Sequence, residues 1–189
     1  MSSIIDIHPH VISPDTKRYP LAPLGGKQST WSSERPTPYE DLIKAMNEAG
    51  VAKAAIVHSS TAYGYDNSYV ATAVAADPKR FTGVFSVDVL APDAVEKMDY
   101  WLRQGFNGMR LFTTGSTMPG QATWFTDAKT YPAWEHAAAK GISVCVQMTQ
   151  QGIPHLSGIT DKFPKVRIIL DHLSRTAFTD GPPFAAAAD

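Results

Sequence analysis

Ile4-Ile5-Asp6-Ile7-His8-Pro9-His10 is the stretch on which the reading of the fold turns. Its β-branched residues alternating with polar ones predict a strand. Strand side chains alternate with a period of two, so Asp6, His8 and His10 share one face and Ile5 and Ile7 the other. Two imidazoles projecting side by side from a rigid element could chelate one divalent metal ion. They could equally be ordinary histidines at a strand end, because His-x-His alone is a weak motif. Their place in the opening strand, directly before a long loop, favours a site.

The segment Val11 to Pro36 is irregular and rich in Pro, Gly, Ser and Thr. It reads either as a solvated insertion or as a cover for a pocket, for which Arg18, Tyr19 and Trp31 supply the material. Thr37-Pro38-Tyr39-Glu40 then has the form of a capping box with proline at the first helical position. Leu42, Ile43, Met46 and Ala49 make an apolar helical stripe that Gly50 stops. Ala52 to His58 reads as a second strand, followed by a helix capped by Asp66 and running to Ala76. A third strand spans Phe81 to Val87, and a helix from Pro92 to Gln104 stops at Gly105. Gly108 to Phe112 is a short strand, and Thr113 to Thr130 is a second long loop. A helix over Tyr131 to Lys140, a strand over Ile142 to Met148, a helix over Ile153 to Phe163 and a strand over Val166 to His172 complete the series.

Strands alternating with helices predict an α/β fold with a parallel sheet. Helix-to-strand links are tight, at Gly50, Gly105 and Gly141, whereas the links leaving the first and fourth strands are long. That asymmetry suits a (β/α)8 TIM barrel, whose site is built by the loops at the strand C-termini. A doubly wound sheet would more often carry a glycine-rich phosphate turn after its first strand, and no G-x-G-x-x-G occurs. About six β/α units are present, and the chain is expected to be a single domain over 1–189, an incomplete barrel lacking its C-terminal part. Asp180-Gly181-Pro182-Pro183-Phe184-Ala185 reads as the start of a further helix.

Composition narrows the function classes. The 189 residues are 43% hydrophobic and 19% charged, with a formal net charge of −1, which predicts neither nucleic acid nor an anionic membrane as partner. No basic leader, apolar signal core or membrane-length apolar run occurs, so a cytoplasmic location is expected. The single cysteine, Cys145, excludes an internal disulfide and a cysteine-based zinc cluster. On the fifth strand Ser143, Cys145 and Gln147 face one way, so Cys145 reads as a barrel-interior filler rather than a nucleophile.

Polar groups recur at strand ends: His58 on the second, Arg110 on the fourth, Gln147 on the fifth and His172 on the sixth. In a parallel sheet all would converge on the mouth that holds His8 and His10. Arg110, if buried, needs an anionic partner, either a structural carboxylate or a substrate one. Arg175 could be a second anion contact or a solvated loop residue. His58 could line the site or hydrogen-bond a neighbouring loop, and Gln147 could only orient a ligand or a water. His136 and His155 fall in helical stretches and are expected to be exposed.

Together with the opening strand, Tyr63-Gly64-Tyr65-Asp66-Asn67, Gly108-Met109-Arg110-Leu111 and Ile168-Ile169-Leu170-Asp171-His172-Leu173-Ser174-Arg175 resemble the amidohydrolase superfamily, in its lactonase-like branch. The resemblance implies a distorted TIM barrel and a hydrolase that opens a carboxylated lactone or similar cyclic ester. It implies His8, His10 and His172 as the catalytic or metal-binding set, and Arg110 and Arg175 as holders of substrate carboxylates, with His58 and Gln147 the further substrate-side candidates. One divalent ion, zinc first, is the expected cofactor, although the fifth strand ends in Gln147 rather than a ligand, and metal-independent members of the branch exist. The branch's last essential group, an aspartate ending an eighth strand, has no counterpart by position in these residues. Alternatives are a metal-dependent decarboxylase of an aromatic acid, or a partial barrel that binds without turnover. A homo-oligomer is the expected assembly.

Overall fold

The computed structural model describes residues 3–175 and 181–182. The expected further helix at 180–185 lies, apart from Gly181 and Pro182, outside the described residues.

The observed strands are β1 (Ile4–Asp6), β2 (Val51–Val57), β3 (Phe81–Phe85), β4 (Phe106–Phe112), β5 (Ser143–Gln147) and β6 (Arg167–Leu170). They form one sheet in sequence order, each neighbouring pair parallel. The helices are α1 (Thr30–Glu34), α2 (Tyr39–Ala49), α3 (Ser60–Tyr63), α4 (Ser68–Ala76), α5 (Ala94–Arg103), α6 (Tyr131–Lys140) and α7 (Ile153–Lys162). This is the incomplete (β/α) barrel expected from the alternating pattern. Two short helices, α1 and α3, are additions to it.

The two faces of the sheet are chemically distinct, as a period of two requires. Ile56, Met109, Leu111, Val144 and Val146 point to the helix side and join the main core with Met98, Trp134 and Ile159. Ala55, Val57, Val84 and Cys145 make a small separate cluster on the inner face. Cys145 is therefore interior filler; burial pushes its thiol up to about 11, so it stays protonated at neutral pH.

Helix ends follow the expected glycines. Gly50 and Gly141 adopt left-handed φ of 69° and 66°, which turns the chain into the next strand within a residue or two. The capping box at Thr37 does not form. Thr37 Oγ donates to Arg35 O at 3.3 Å, while its own carbonyl accepts from Ile12 N–H at 2.8 Å. Pro38 becomes the N-cap residue, so a tertiary contact overrides the local motif. Asp66 does meet its helix, accepting from Ser68 N–H at 2.9 Å. Asn67 instead braces the end of β3, its amide donating to Ser86 O at 2.9 Å and accepting from Ser86 N–H at 2.8 Å.

The segment after β1 is a packed cover, with Val11, Ile12 and Tyr19 buried. His136 and His155 are half-buried rather than exposed. His136 Nε2 lies 2.9 Å from the Asp99 carboxylate, joining α6 to α5. Among the described residues no helix is long and apolar enough to cross a membrane.

Candidate active site

The strand β1 is shorter than its sequence suggests. Asp6 Oδ1 accepts from His8 N–H at 3.0 Å, closing a local turn, and Pro9 has no N–H to give to a ladder. His8 and His10 thus sit just past the strand, held there by Pro9 O, which accepts from Val57 N–H at 2.9 Å. Their ring centroids are 5.1 Å apart at an interplanar angle of 87°. The His172 ring lies 5.0 Å from His8, so the first and sixth strand ends meet.

His172 reaches that position from a turn, Asp171–Arg175, in which His172, Leu173, Ser174 and Arg175 have φ of 53°, 48°, 54° and 54°. Left-handed backbone costs an L-residue about 1–2 kcal/mol. The buried side chains of Asp171 and Ser174 anchor this turn to the rest of the fold.

A cavity of about 260 Å³ opens at these strand ends, lined among others by His10, Trp31, Arg110, Gln147, His172 and Arg175. Trp31, from α1, stacks on His10 at 5.4 Å. Ser59, Thr61, Phe112 and Ser116 complete the wall, and the Ser59 hydroxyl is buried without a hydrogen-bond partner among the described residues. The two long loops meet above it. Gly25, at φ 84°, lies so near Thr117 that a Cβ there would sit 2.0 Å from Thr117 O.

Arg110 is the electrostatic centre. It is 4% exposed, and burial lowers its guanidinium from the ordinary value while the Asp171 carboxylate opposes that shift. Nε donates to Asp171 Oδ2 at 3.0 Å, one terminal nitrogen donates to His58 O at 3.4 Å, and the other donates to Gln147 Oε1. The anionic partner that Arg110 required is thus structural. Three of its five N–H groups are used, leaving one on each terminal nitrogen.

Each imidazole has a distinct state. His10 Nδ1 lies 2.7 Å from Val57 O; a carbonyl can only accept, so Nδ1 carries the proton and Nε2 keeps its lone pair. Burial, with the Arg110 charge adding to it, holds His10 down to about 3. Burial also lowers His8, against the pull of Asp171, whose Oδ1 is 3.7 Å from His8 Nδ1. His8 Nε2 is buried with no partner among the described residues, and the residue lines a separate inner-face cavity of about 480 Å³ rather than this one.

Of the two readings open for His58, the hydrogen bond to a neighbouring loop is the one observed. His58 is fully buried and does not line the cavity; its Nε2–H donates to Gly64 O at 2.9 Å, and only its backbone carbonyl touches the site, through Arg110. Val57 faces the inner cluster, so the next residue must face the helices. Gln147 lines the cavity and its Oε1 accepts from Arg110, so it orients a protein group there. Asp171, although part of the quoted motif, had no role assigned. The signal was present: a carboxylate closing an apolar strand, in a chain whose other apolar strand carries an arginine.

The expected metal set is not formed as a ligating group. Among the described residues no three His, Cys, Asp or Glu side chains are placed to hold a metal ion. His8, His10 and His172 approach with rings edge-on or tilted, and the bond from His10 Nδ1 to the backbone leaves Nε2 as the one nitrogen of that ring able to ligate. Nor does a carboxylate line the cavity among these residues.

Comparison with known proteins follows the geometry. A probable 2-pyrone-4,6-dicarboxylic acid hydrolase from Acinetobacter baumannii, crystallised with citric acid bound, superposes with a TM-score of 0.77 at 16% identity, over 99% of this chain and 64% of that one. An amidohydrolase from Burkholderia multivorans with bound zinc gives 0.72 at 17% identity, over 98% and 63%. A dihydroxybenzoic acid decarboxylase from Polaromonas, holding manganese and 2-nitroresorcinol, gives 0.64 at 16% identity, over 95% and 70%. The chain therefore spans 64% of the length of the first and 63% of the second. Likeness at this identity establishes the fold. A search of curated proteins found no match. The sequence profile of the amidohydrolase family matches residues 5–189, and the chain belongs to that family.

Proposed function

We propose that this protein, in its whole form, is a hydrolase that opens a carboxylated lactone or similar cyclic ester. The observation that carries the reading is that a single small cavity holds the buried guanidinium of Arg110 together with the imidazoles of His10 and His172. The relative crystallised with citric acid, named for a pyrone dicarboxylic acid, supports a substrate bearing carboxylates. At about 260 Å³ the cavity suits a compact ligand, below the usual range for drug-sized molecules.

The spare N–H on each terminal nitrogen of Arg110 would receive one substrate carboxylate, with Arg175 at the mouth as a second contact. Trp31 and Phe112 offer flat faces to a planar ring. His10 Nε2, a lone pair on a neutral ring, cannot donate to the ester carbonyl and would instead accept from the attacking water, orienting it. His172 would donate to the carbonyl oxygen as charge develops there, with His8 packed beside it at 5.0 Å behind the cavity wall. Water adds to the carbonyl carbon, the ring C–O bond breaks, and the departing oxygen takes a proton, giving a hydroxy acid. The general base would be a carboxylate outside the described lining of the cavity. A divalent ion, zinc first, belongs to the proposal through the metal-bound relatives; the roles above rest on the side chains themselves. A cytoplasmic location and a homo-oligomer remain part of the same reading.

The test is a panel of carboxylated lactones, neutral lactones and dihydroxybenzoates, with and without chelator, scored for acid release and for carbon dioxide. Acid release confined to carboxylated lactones is the expected result. Carbon dioxide from the benzoates would replace the reading with the decarboxylase one.

A further inference from the structure

We infer that Asp171 is a positioning residue, whose carboxylate fixes the orientation of the Arg110 guanidinium so that its terminal nitrogens face the ligand. The inference rests on the carboxylate-binding reading of the cavity and adds a residue that the reading itself does not use. Asp171 is 3% exposed and is absent from the cavity wall, so it acts through other side chains rather than on the ligand.

The geometry separates this role from that of a simple counter-ion. A carboxylate that merely neutralised Arg110 would gain most from the two-point fork, with both oxygens on parallel N–H groups. Asp171 does not use it that way. A single oxygen, Oδ2, takes Nε at 3.0 Å, and the other points toward His8, whose Nδ1 is 3.7 Å away. Oδ1 has no hydrogen-bond partner among the described residues, which is a costly state for a buried carboxylate oxygen. The arrangement leaves one N–H free on each terminal nitrogen. Gln147 and the His58 carbonyl brace those nitrogens from the protein side, so the guanidinium is held at three points with its remaining donors available. Arg110 and Cys145 are register partners on neighbouring strands, and Val57, Val84 and Cys145 form an apolar cluster on that inner face. Among the described residues Asp171 supplies the carboxylate to the guanidinium.

Two substitutions move charge and geometry separately. Asp171→Asn keeps an oxygen of the same reach for Nε and removes the charge. Asp171→Glu keeps the charge and displaces the oxygens by one methylene. Citrate binding to the 189-residue chain, measured by calorimetry beside the melting temperature of each variant, gives the readout. Positioning predicts that Asp171→Glu weakens citrate tenfold or more while Asp171→Asn stays within about threefold of the wild type or binds more tightly, since the site has gained net positive charge. A counter-ion role predicts that Asp171→Glu, which keeps the charge, binds citrate like the wild type, and that result would overturn the inference. Wild-type binding retained equally in both variants would also overturn it, leaving the functional reading standing. No citrate binding by the wild type would overturn the inference, whereas the functional reading, made for the whole protein, is decided by the lactone panel. Should Asp171→Glu fail to fold, Asp171→Ser, which removes the Nε acceptor without adding bulk, must weaken citrate at least tenfold despite the lost negative charge.

Discussion

His58 should make the fold sensitive to mild acid. Its ring is fully buried, Nε2–H is given to Gly64 O, and Nδ1 has no partner among the described residues. Protonation would place a second N–H and a charge where nothing accepts them. Burial accordingly lowers the imidazole from 6.5 to about 4, the Gly64 bond opposing and Arg110 adding to the shift. The unfolded chain then binds the proton first, so stability is full above the unfolded value near 6.5 and falls as pH drops toward 4. Between about pH 7.5 and pH 5 this single group should remove about 2 kcal/mol of stability, and about 3 kcal/mol at the acid limit. For a domain of this length that corresponds to a fall of about 4–8 °C in melting temperature by pH 5. His8 and His10 are lowered too, so the wild-type slope alone does not isolate His58. His58→Gln keeps a donor at the reach of Nε2 and cannot titrate. Urea unfolding of wild type and variant at both pH values should show the variant losing about 2 kcal/mol less than the wild type. Equal losses in the two proteins would refute the reasoning.

Arg110→Lys should weaken carboxylated ligands far more than neutral ones, because an ammonium cannot be braced by Asp171, Gln147 and His58 O while still presenting two N–H groups; equal loss on both ligand types, read from binding constants, would make Arg110 purely structural. Gly25→Ala, forced into a left-handed φ with its Cβ against Thr117 O, should cost about 1–3 kcal/mol and raise KM by separating the two loops; an unchanged melting curve would contradict the contact. The edge strands leave Ile5 at 54% and Ile169 at 43% exposure, so the 189-residue chain should self-associate at micromolar concentration, and a monodisperse monomer in light scattering would contradict that.

What could be read from sequence divides along a physical line. Gly50, Gly105 and Gly141 marked helix ends because a left-handed residue is a local demand that glycine meets without help. His8, His10, Arg110 and His172 could be placed together because parallel strands end at one rim, whatever the exact boundaries. Features set by tertiary contact were not legible. Thr37 loses its capping role to a segment packed 25 residues upstream, through Ile12. His58 faces the helices because Ala55 and Val57 take the inner face and side chains alternate along the strand. Asp171 and Gln147 took their roles from Arg110, which meets them only across β4, β5 and the end of β6.

The central claim is that Arg110 and the histidines at the strand ends form one ligand site. A crystal structure of the protein soaked with a carboxylated lactone tests it most directly. The account predicts a ligand carboxylate within hydrogen-bond distance of the terminal nitrogens of Arg110, its ring against Trp31, and the lactone carbonyl beside His172. A ligand bound instead in the larger cavity of about 480 Å³ on the inner face, among Ile7, Val84, Cys145 and Ile169, would contradict it.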